Sequence, residues 1–466
     1  MFNFEAGMTD FITRLCDSVG AAHVLRGADM AGYLAEPRGK FTGRALAVVR
    51  PATVGEVASV LKLCSETRTQ VVPQGGNTGL VGGQVSADAG AVILSLQRLN
   101  RLRELDPTSN SLVVEAGMTL AQAQQAAEAA DRLFPLSLAS EGSCTIGGNL
   151  ATNAGGTGVI AYGMMRDLVL GLEVVLADGR ILNGLSKLKK DNTGYDLKHL
   201  FIGSEGTLGI ITAASLKLFA RPQHVSLAFI GLASPAHALN LLKRSQAQAG
   251  ERITAFELIP RIGIDFVARH AGKRDPLSRP HEWYVLIELS APYSVLEEIL
   301  AAALAAEQIE DAALAQSAQQ ALDFWALRDL MSEMQGREGG SIKNDVSVPV
   351  ARVADFIAEA CARVMAVMPG ARMVPFGHVG DGNIHFNISQ PLDMDKGEFL
   401  ARWDEITGIV NGVVLEMQGS ISAEHGIGQM KRELLAKVKD PVALEVMRAL
   451  KATLDPLNIL NPGKVI

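Results

Sequence analysis

The sequence predicts an α+β chain in two main parts, and three observations carry that prediction. Over the first 220 residues short apolar strands interleave with few helices, which does not suit a regular doubly wound sheet. A strand–helix–strand–helix rhythm follows, the pattern of an antiparallel sheet covered by helices. Between the strands of the first part lie two loops that combine glycine with small polar residues, Pro73-Gln-Gly-Gly-Asn-Thr-Gly-Leu-Val-Gly-Gly83 and Glu141-Gly-Ser-Cys-Thr-Ile-Gly-Gly-Asn-Leu-Ala-Thr-Asn-Ala-Gly-Gly156. A chain of 466 residues exceeds one compact core, and its 48% apolar and 20% charged composition is that of a soluble globular protein.

The balance of charge and cysteine excludes several classes. A net charge of −7 leaves no basic footprint for nucleic acid. The four cysteines, Cys16, Cys64, Cys144 and Cys361, are widely spaced with no C-x-x-C pair. Cysteine-ligated zinc ribbons and iron–sulfur clusters are thereby excluded, and the pattern suits a reducing compartment. Glu5 and Asp10 without a basic n-region do not make a signal peptide, and no apolar run reaches the length of a membrane span. A cytoplasmic location is the resulting expectation.

Taken in order, residues 8–24 read as an amphipathic helix with Phe11, Ile12, Leu15 and Val19 on one stripe, an N-terminal helical arm. Thr53 caps a helix running to about Thr67, with Glu56 favourable in its first turn. Residues 69–72 form the strand that enters the first loop. Residues 91–95 and 111–116 are strands, and 120–131 is an alanine-rich helix. Residues 168–176, ended by the turn Asp178-Gly179, and 209–219 are two more strands. Near residue 220 the glycine-rich character stops. Beyond it lie a strand at 225–230, a helix at 235–249, a strand at 284–289 and a helix at 295–308. Residues 301–321 read as solvent-facing alanine-rich helix, and 441–454 as the last helix. The expected division is 1–220, 221–420 and a closing segment, 421–466.

Glycine lets bare N–H groups approach a ligand with no Cβ in the way, and consecutive inward N–H groups form a nest for phosphate oxygens. The first loop matches neither a Walker A loop nor G-x-G-x-x-G. Two such loops suit a long ligand with a pyrophosphate in its middle.

The most chemistry per residue lies in Phe376-Gly-His-Val-Gly-Asp-Gly-Asn-Ile-His-Phe-Asn387. Asp381-Gly382 is a two-residue hairpin signal. With those two as the turn, Gly380 pairs with Asn383, Val379 with Ile384 and His378 with His385. Opposed residues hold their Cβ atoms about 4.5–5.5 Å apart, chelating distance for two imidazoles. The period of two adds Asn387 to the same face. Ser422-Ala-Glu-His-Gly-Ile-Gly428 supplies an acid and an imidazole side by side. His378, His385 and Glu424 then make a His₂Glu set with open positions, as in catalytic zinc or an iron(II) facial triad. The competing reading is two ordinary histidines beside a glycine-rich turn. A metal-dependent hydrolase would use the same set but would leave both loops without a role.

Residues 322–333 read as a helix with Phe324, Leu327 and Met331 on its packing stripe and Arg328 and Ser332 on one face. A surface arginine paired with Asp329 or Glu333 is the plainer alternative. Residues 341–349 alternate like a strand, with Lys343, Asp345 and Ser347 on one face.

The two loops, with Lys190-Asp-Asn-Thr-Gly-Tyr-Asp-Leu197 and Gly203-Ser-Glu-Gly-Thr-Leu-Gly-Ile-Ile-Thr212, resemble the flavoprotein family founded on vanillyl-alcohol oxidase and p-cresol methylhydroxylase. The resemblance implies a two-subdomain FAD-binding domain, with the pyrophosphate on the first loop and the isoalloxazine against the second. The cofactor residues implied are Pro73, Gly75, Gly76, Asn77, Thr78 and Gly79; Ser140, Gly142, Thr145, Gly147, Gly148, Asn149, Thr152, Asn153 and Gly155; and Glu205, Gly209, Ile210 and Asn461. Some members tether FAD through a histidine near the position of Asn77. Asn77 cannot form that bond, so FAD is expected to be held non-covalently. Cys144, in the second loop, reads as a small buried residue.

The run G-H-x-G-D-G-N-x-H-x-N, with S-x-E-H-G-x-G downstream, is similar to the FAD-linked D-2-hydroxyacid dehydrogenases, which act on D-lactate, glycolate or D-2-hydroxyglutarate. The match extends from about residue 40 to Lys464. It implies Zn²⁺ on His378, His385 and Glu424, with Fe²⁺ or Mn²⁺ as alternatives, and His425 as the base. Histidine's reference pKa of about 6.5 suits that duty. Many relatives carry a basic residue before Tyr162-Gly163, where this chain has Ala161. A W-x-L-R helix, a hydroxyl four residues later and K-x-D-x-S-x-P beyond resemble the D-2-hydroxyglutarate branch. That branch implies Arg328, Ser332 and Lys343 on a distal carboxylate, with Asn387 also at the substrate; threonine is usual where this chain has Ser332. The implied reaction is oxidation of D-2-hydroxyglutarate by hydride transfer to flavin N5, with D-lactate, glycolate or D-malate as the alternative substrates. A homodimer is a family expectation. With no second dinucleotide motif and no cysteine cluster, the electron acceptor is expected to be external, an electron-transferring flavoprotein or a quinone. A flavin protein without redox turnover, as in ether-lipid synthase relatives, is the remaining alternative.

Overall fold

The computed structural model describes residues 2–466, with side chains from residue 9 onward. Two compact units emerge. One holds the segments up to Ala154, Met164–Arg221 and His425–Ile466; the other holds Gly155–Gly163 and Pro222–Glu424. Residues 155–163 therefore sit with the second unit rather than the first, because Ile160 packs on that unit's core and the Gly156 N–H donates to Glu424. The chain's end is held in the first unit by its strand geometry: Leu460 bridges Val71, and Ile459 and Leu460 join the same core cluster as Val71.

The first unit contains two larger sheets. A four-stranded sheet runs in the order Val24–Leu25, Ala47–Val49, Val92–Ser95, Val71–Gln74, its last two pairings parallel. The helices Phe2–Val19 and Val54–Thr67 cover it through Phe11, Leu15, Val57 and Leu61. The first of these stops at Val19 instead of residue 24, since Gly20 turns the chain at φ +87° and Val24 starts a strand. The second begins where its cap predicts, with Thr53 Oγ1 accepting from the Glu56 N–H. The other sheet is antiparallel, in the order Leu102–Asp106, Ser111–Glu115, Ile210–Lys217, Val169–Val175, Ile181–Gly184.

The second unit is a seven-stranded antiparallel sheet ordered Asp311–Leu314, Ser226–Leu232, Trp283–Leu289, Ile253–Pro260, Arg372–His378, Asn383–Ser389, Ser341–Ser347. Alternation divides its side chains between two cores. Ala228, Ile230 and Val285 face one way, onto helices such as Pro235–Ala249 and Val353–Val367. Leu227, Phe229 and Leu286 face the other, onto Arg261–Ala271 and Ala318–Asp329. The expected alanine-rich helix over 301–321 is corrected. A helix, Tyr293–Ala305, ends there, and Asp311–Leu314 becomes the sheet's edge strand against Ser226–Leu232 before the next helix starts at Ala318. Among the described residues no helix is long and apolar enough to cross a membrane.

Candidate active site

The hairpin forms, but in a different register from the one Asp381-Gly382 suggests. His385 lies opposite Phe376, Phe386 opposite Pro375 and Asn387 opposite Val374, leaving residues 379–382 as the connection. Gly377 at φ +142° and Gly382 at φ +87° let the chain close over that longer turn. The slip is by two residues, so the faces are preserved: His378 and His385 become diagonal neighbours instead of opposed ones. Their rings still meet edge to face, with centroids 5.4 Å apart.

Register then brings the remaining groups to that face. On one side Glu257 lies opposite His378. On the other, Asp345 lies opposite His385 and Lys343 opposite Asn387. Glu424 arrives by hydrogen bonds: its N–H donates to Asp345 Oδ2 at 2.9 Å, and its Oε1 accepts from the Gly156 N–H at 2.5 Å. Ligand atoms of His378, His385 and Glu424 all lie within 4.8 Å of one another, and His378 Nε2 is 3.8 Å from Glu424 Oε1. Two imidazoles and a carboxylate at that spacing fit one divalent cation. The other His378 nitrogen, Nδ1, is 2.6 Å from Glu257 Oε1. Burial pulls the His378 pKa down, but the adjoining Glu257 carboxylate outweighs it and raises the value to about 9.

The expected carboxylate-holding trio is divided. Residues 322–333 are two helices, Ala318–Asp329 and Met331–Gly336, joined at Leu330, so Arg328 closes one and Ser332 opens the other. Arg328 is buried, stacked 4.9 Å over the Phe376 ring, and its Nε donates to Glu257 Oε2 at 2.6 Å, not to Asp329 or Glu333. Lys343 Nζ instead donates to Ser332 Oγ at 2.8 Å. Asn387 donates to Gln335 Oε1 at 3.0 Å. Glu257 and Gln335 were not foreseen from the sequence. A lone carboxylate inside the apolar run Ile253–Pro260 is the signal that could have found the first, because a buried charge requires partners.

In the first unit the two glycine-rich loops touch. A Cβ on Gly75 would lie 2.3 Å from Thr145 Oγ1, and one on Gly76 1.9 Å from the Ser143 carbonyl oxygen. None of the N–H groups of residues 75–79 has an acceptor among the described residues. These residues are part-buried, and a run of open backbone donors there fits phosphate oxygens. Asn77, at φ +56°, donates to the Gly32 and Ala35 carbonyls and keeps an unpartnered buried Oδ1. Asn149 keeps an unpartnered Nδ2.

The other residues expected at the cofactor are placed as follows. Pro73 ends in the strand before the first loop, and Thr78 and Gly79 lie within it. Ser140 turns the second loop by accepting from the Ser143 and Cys144 N–H groups, and Gly142 borders open space. Thr145 caps the helix Ile146–Thr152, in which Gly147 closes on Ala116 and Thr152 donates to the Gly148 carbonyl. Asn153 accepts from the Arg166 N–H. Glu205 receives the Ile427 and Gly428 N–H groups, while Asn461 donates to the carbonyls of Gly83 and Glu205. Gly209 packs on Val174 and Phe201, and Ile210 opens a buried strand. Gly155 lies in the second unit, where a Cβ would stand 2.6 Å from Glu424 Oε1. His425 follows Glu424 and opens the last segment of the first unit. The Cys144 thiol is buried, which pushes its pKa up.

Comparison with known proteins fits both halves of this picture. Residues 45–184 match a family model described as an FAD binding domain, and residues 221–465 one described as the C-terminal domain of FAD linked oxidases. The D-2-hydroxyglutarate dehydrogenase, mitochondrial, of Bos taurus is 41% identical over 434 residues, covering 91% of this chain and 77% of that protein. The Arabidopsis thaliana protein of the same name is 38% identical, covering 92% of this chain and 76% of its own length. The structure of p-cresol methylhydroxylase with substrate bound superposes with a TM-score of 0.75 at 18% identity, covering 98% of this chain and 97% of that one. The cytoplasmic location is corrected by the relatives' names, which point to mitochondria. Free cysteines report a reducing environment and not which compartment supplies it. The chain belongs to the FAD-linked D-2-hydroxyacid dehydrogenases and has the fold of p-cresol methylhydroxylase.

Proposed function

We propose that this protein oxidises D-2-hydroxyglutarate to 2-oxoglutarate, using non-covalent FAD and a divalent metal, with Zn²⁺ the first candidate, and that it delivers electrons to an external flavoprotein or quinone. One observation carries the reading: the His₂Glu cluster, Asn387 and Lys343 gather on one face of the sheet of the second unit, and Arg328 reaches that face through Glu257. The names of the relatives support the same substrate.

Bound FAD would accept hydride from C2, while a metal on His378, His385 and Glu424 would polarise the C2 hydroxyl and orient the C1 carboxylate. His425 takes the hydroxyl proton. Arg328 and Lys343 hold the distal carboxylate, the arginine through its fork and the lysine as a point charge. Ser332 keeps Lys343 in place in the absence of substrate. D-Lactate has no second carboxylate to offer Arg328 Nη or Lys343 and forgoes charge-assisted hydrogen bonds worth roughly 1.5–3 kcal/mol, so the dicarboxylate is preferred by at least about tenfold in kcat/KM.

The test is anaerobic reduction of the purified yellow protein. D-2-Hydroxyglutarate should bleach the flavin, D-lactate should do so far less efficiently, and Arg328→Ala should remove most of the difference. Dialysis against a chelator should stop bleaching with the flavin spectrum intact, and zinc should restore it. A colourless active protein would refute the reading; full turnover without metal would remove its metal component.

A further inference from the structure

Glu257 is fully buried at the centre of a strand, and each of its two oxygens is committed to a different nitrogen. Oε1 lies 2.6 Å from His378 Nδ1, and Oε2 accepts from Arg328 Nε at 2.6 Å. The two partners come from separate elements, the strand Arg372–His378 and the helix Ala318–Asp329. Glu257 therefore has no oxygen left over.

We infer that Glu257 is the positioning residue that ties the metal-binding imidazole to the arginine for the substrate's distal carboxylate. This rests on the function proposed above. With Nδ1–H donated to Glu257, the His378 lone pair sits on Nε2, the nitrogen that faces Glu424. A negative partner on Nδ1 also makes Nε2 a stronger ligand. On the arginine side, the bond from Nε fixes the guanidinium plane. It leaves both Nη groups without a hydrogen-bond acceptor among the described residues, free to take a carboxylate as a fork. One carboxylate thus sets the reach between the two ends of a bound dicarboxylate. It also lowers the repulsion between arginine and metal.

Glu257→Gln separates this role from a merely structural one, because an amide can accept from only one of the two donors. Zinc affinity is measured on flavin-loaded protein by chelator competition, without substrate. It should fall about 10- to 100-fold, the usual cost of losing an outer-shell partner, while flavin content is unchanged. The ratio of kcat/KM for D-2-hydroxyglutarate to that for D-lactate should fall as well, and should stay low when zinc is saturating. Glu257→Asp, which keeps the charge but is one methylene too short to reach both partners, should also lose zinc affinity and selectivity, and it decides the matter if the glutamine variant does not fold. Wild-type zinc affinity and selectivity in either folded variant would overturn the inference, as would full recovery of both by aspartate. If wild-type protein binds no zinc, the proposed function fails first; if wild type binds zinc and the variants match it, only Glu257's role fails.

Discussion

The sheet face of the second unit and the paired loops of the first prepare for their ligands by opposite means. On the sheet, function lies in side chains: two imidazoles and three carboxylates converge because strand register puts Glu257, His378, His385 and Asp345 on one face and Glu424 is hydrogen-bonded to it. In the loops, function lies in side chains that are missing. Gly75 and Gly76 admit no Cβ, and five consecutive N–H groups are left for a ligand. A side-chain site tolerates a changed turn provided that the face is kept. A backbone site tolerates no added atom where the loops touch.

The largest effect that would sharpen this contrast comes from His385→Ala. Removing a ligand instead of its support should cost more than the ~100-fold upper range of outer-shell losses in zinc affinity, and kcat/KM should fall with it. Flavin bound per protein should not change, because the nest is made of another segment's backbone. Parallel loss of flavin and zinc would show that the two regions are not independent. Gly76→Ala makes the reverse cut. Its Cβ would meet the Ser143 carbonyl oxygen at 1.9 Å, and backbone cannot swing aside as a side chain can. Overpacking of this kind costs about 1–3 kcal/mol, so FAD affinity should drop by about 5- to 150-fold with zinc affinity intact. A variant that binds FAD as tightly as wild type would break the claim that the contact between the loops defines the cradle.

The same contrast explains what could be read from the sequence. The loops were legible because glycine at those positions is itself the signal. The face shared by His378, His385 and Asn387 was legible because a period of two survives any even slip, although the register was not: the turn depends on Gly377 reaching φ +142°, which no dipeptide rule encodes. Lys343 and Asp345 fell on one strand face by the same alternation. The break at Leu330 left no mark in the apolar spacing, since Leu327 and Met331 pack in one cluster across it. Arg328's true partner lay outside local reach, because Glu257 is distant in sequence and is brought near only by the sheet. The placement of Gly155 beside Glu424 is likewise tertiary.

The smallest effect tests whether the loops depend on their own contact or on the firmness of the unit that carries them. Thr53 caps the helix Val54–Thr67 through its Oγ1 at 3.2 Å from the Glu56 nitrogen, and the Glu56 side chain in return accepts from the Ala52 N–H at 2.7 Å. The helix buries Val57, Val60 and Leu61 in the core of the first unit, whose sheet also includes the strand leading into the first loop. Thr53→Ala removes one cap at a cost of about 1 kcal/mol, which for a unit this large lowers Tm by about 2–4 °C. None of the residues 75–79 or 143–145 touches the substituted atom, so FAD affinity at 25 °C should stay within about twofold, a change under ~0.5 kcal/mol as distant sites usually give. A drop in FAD affinity comparable to that of Gly76→Ala would mean that the nest is held open by the stability of the whole unit. The steric argument at Gly76 would then describe a symptom of packing and not its cause.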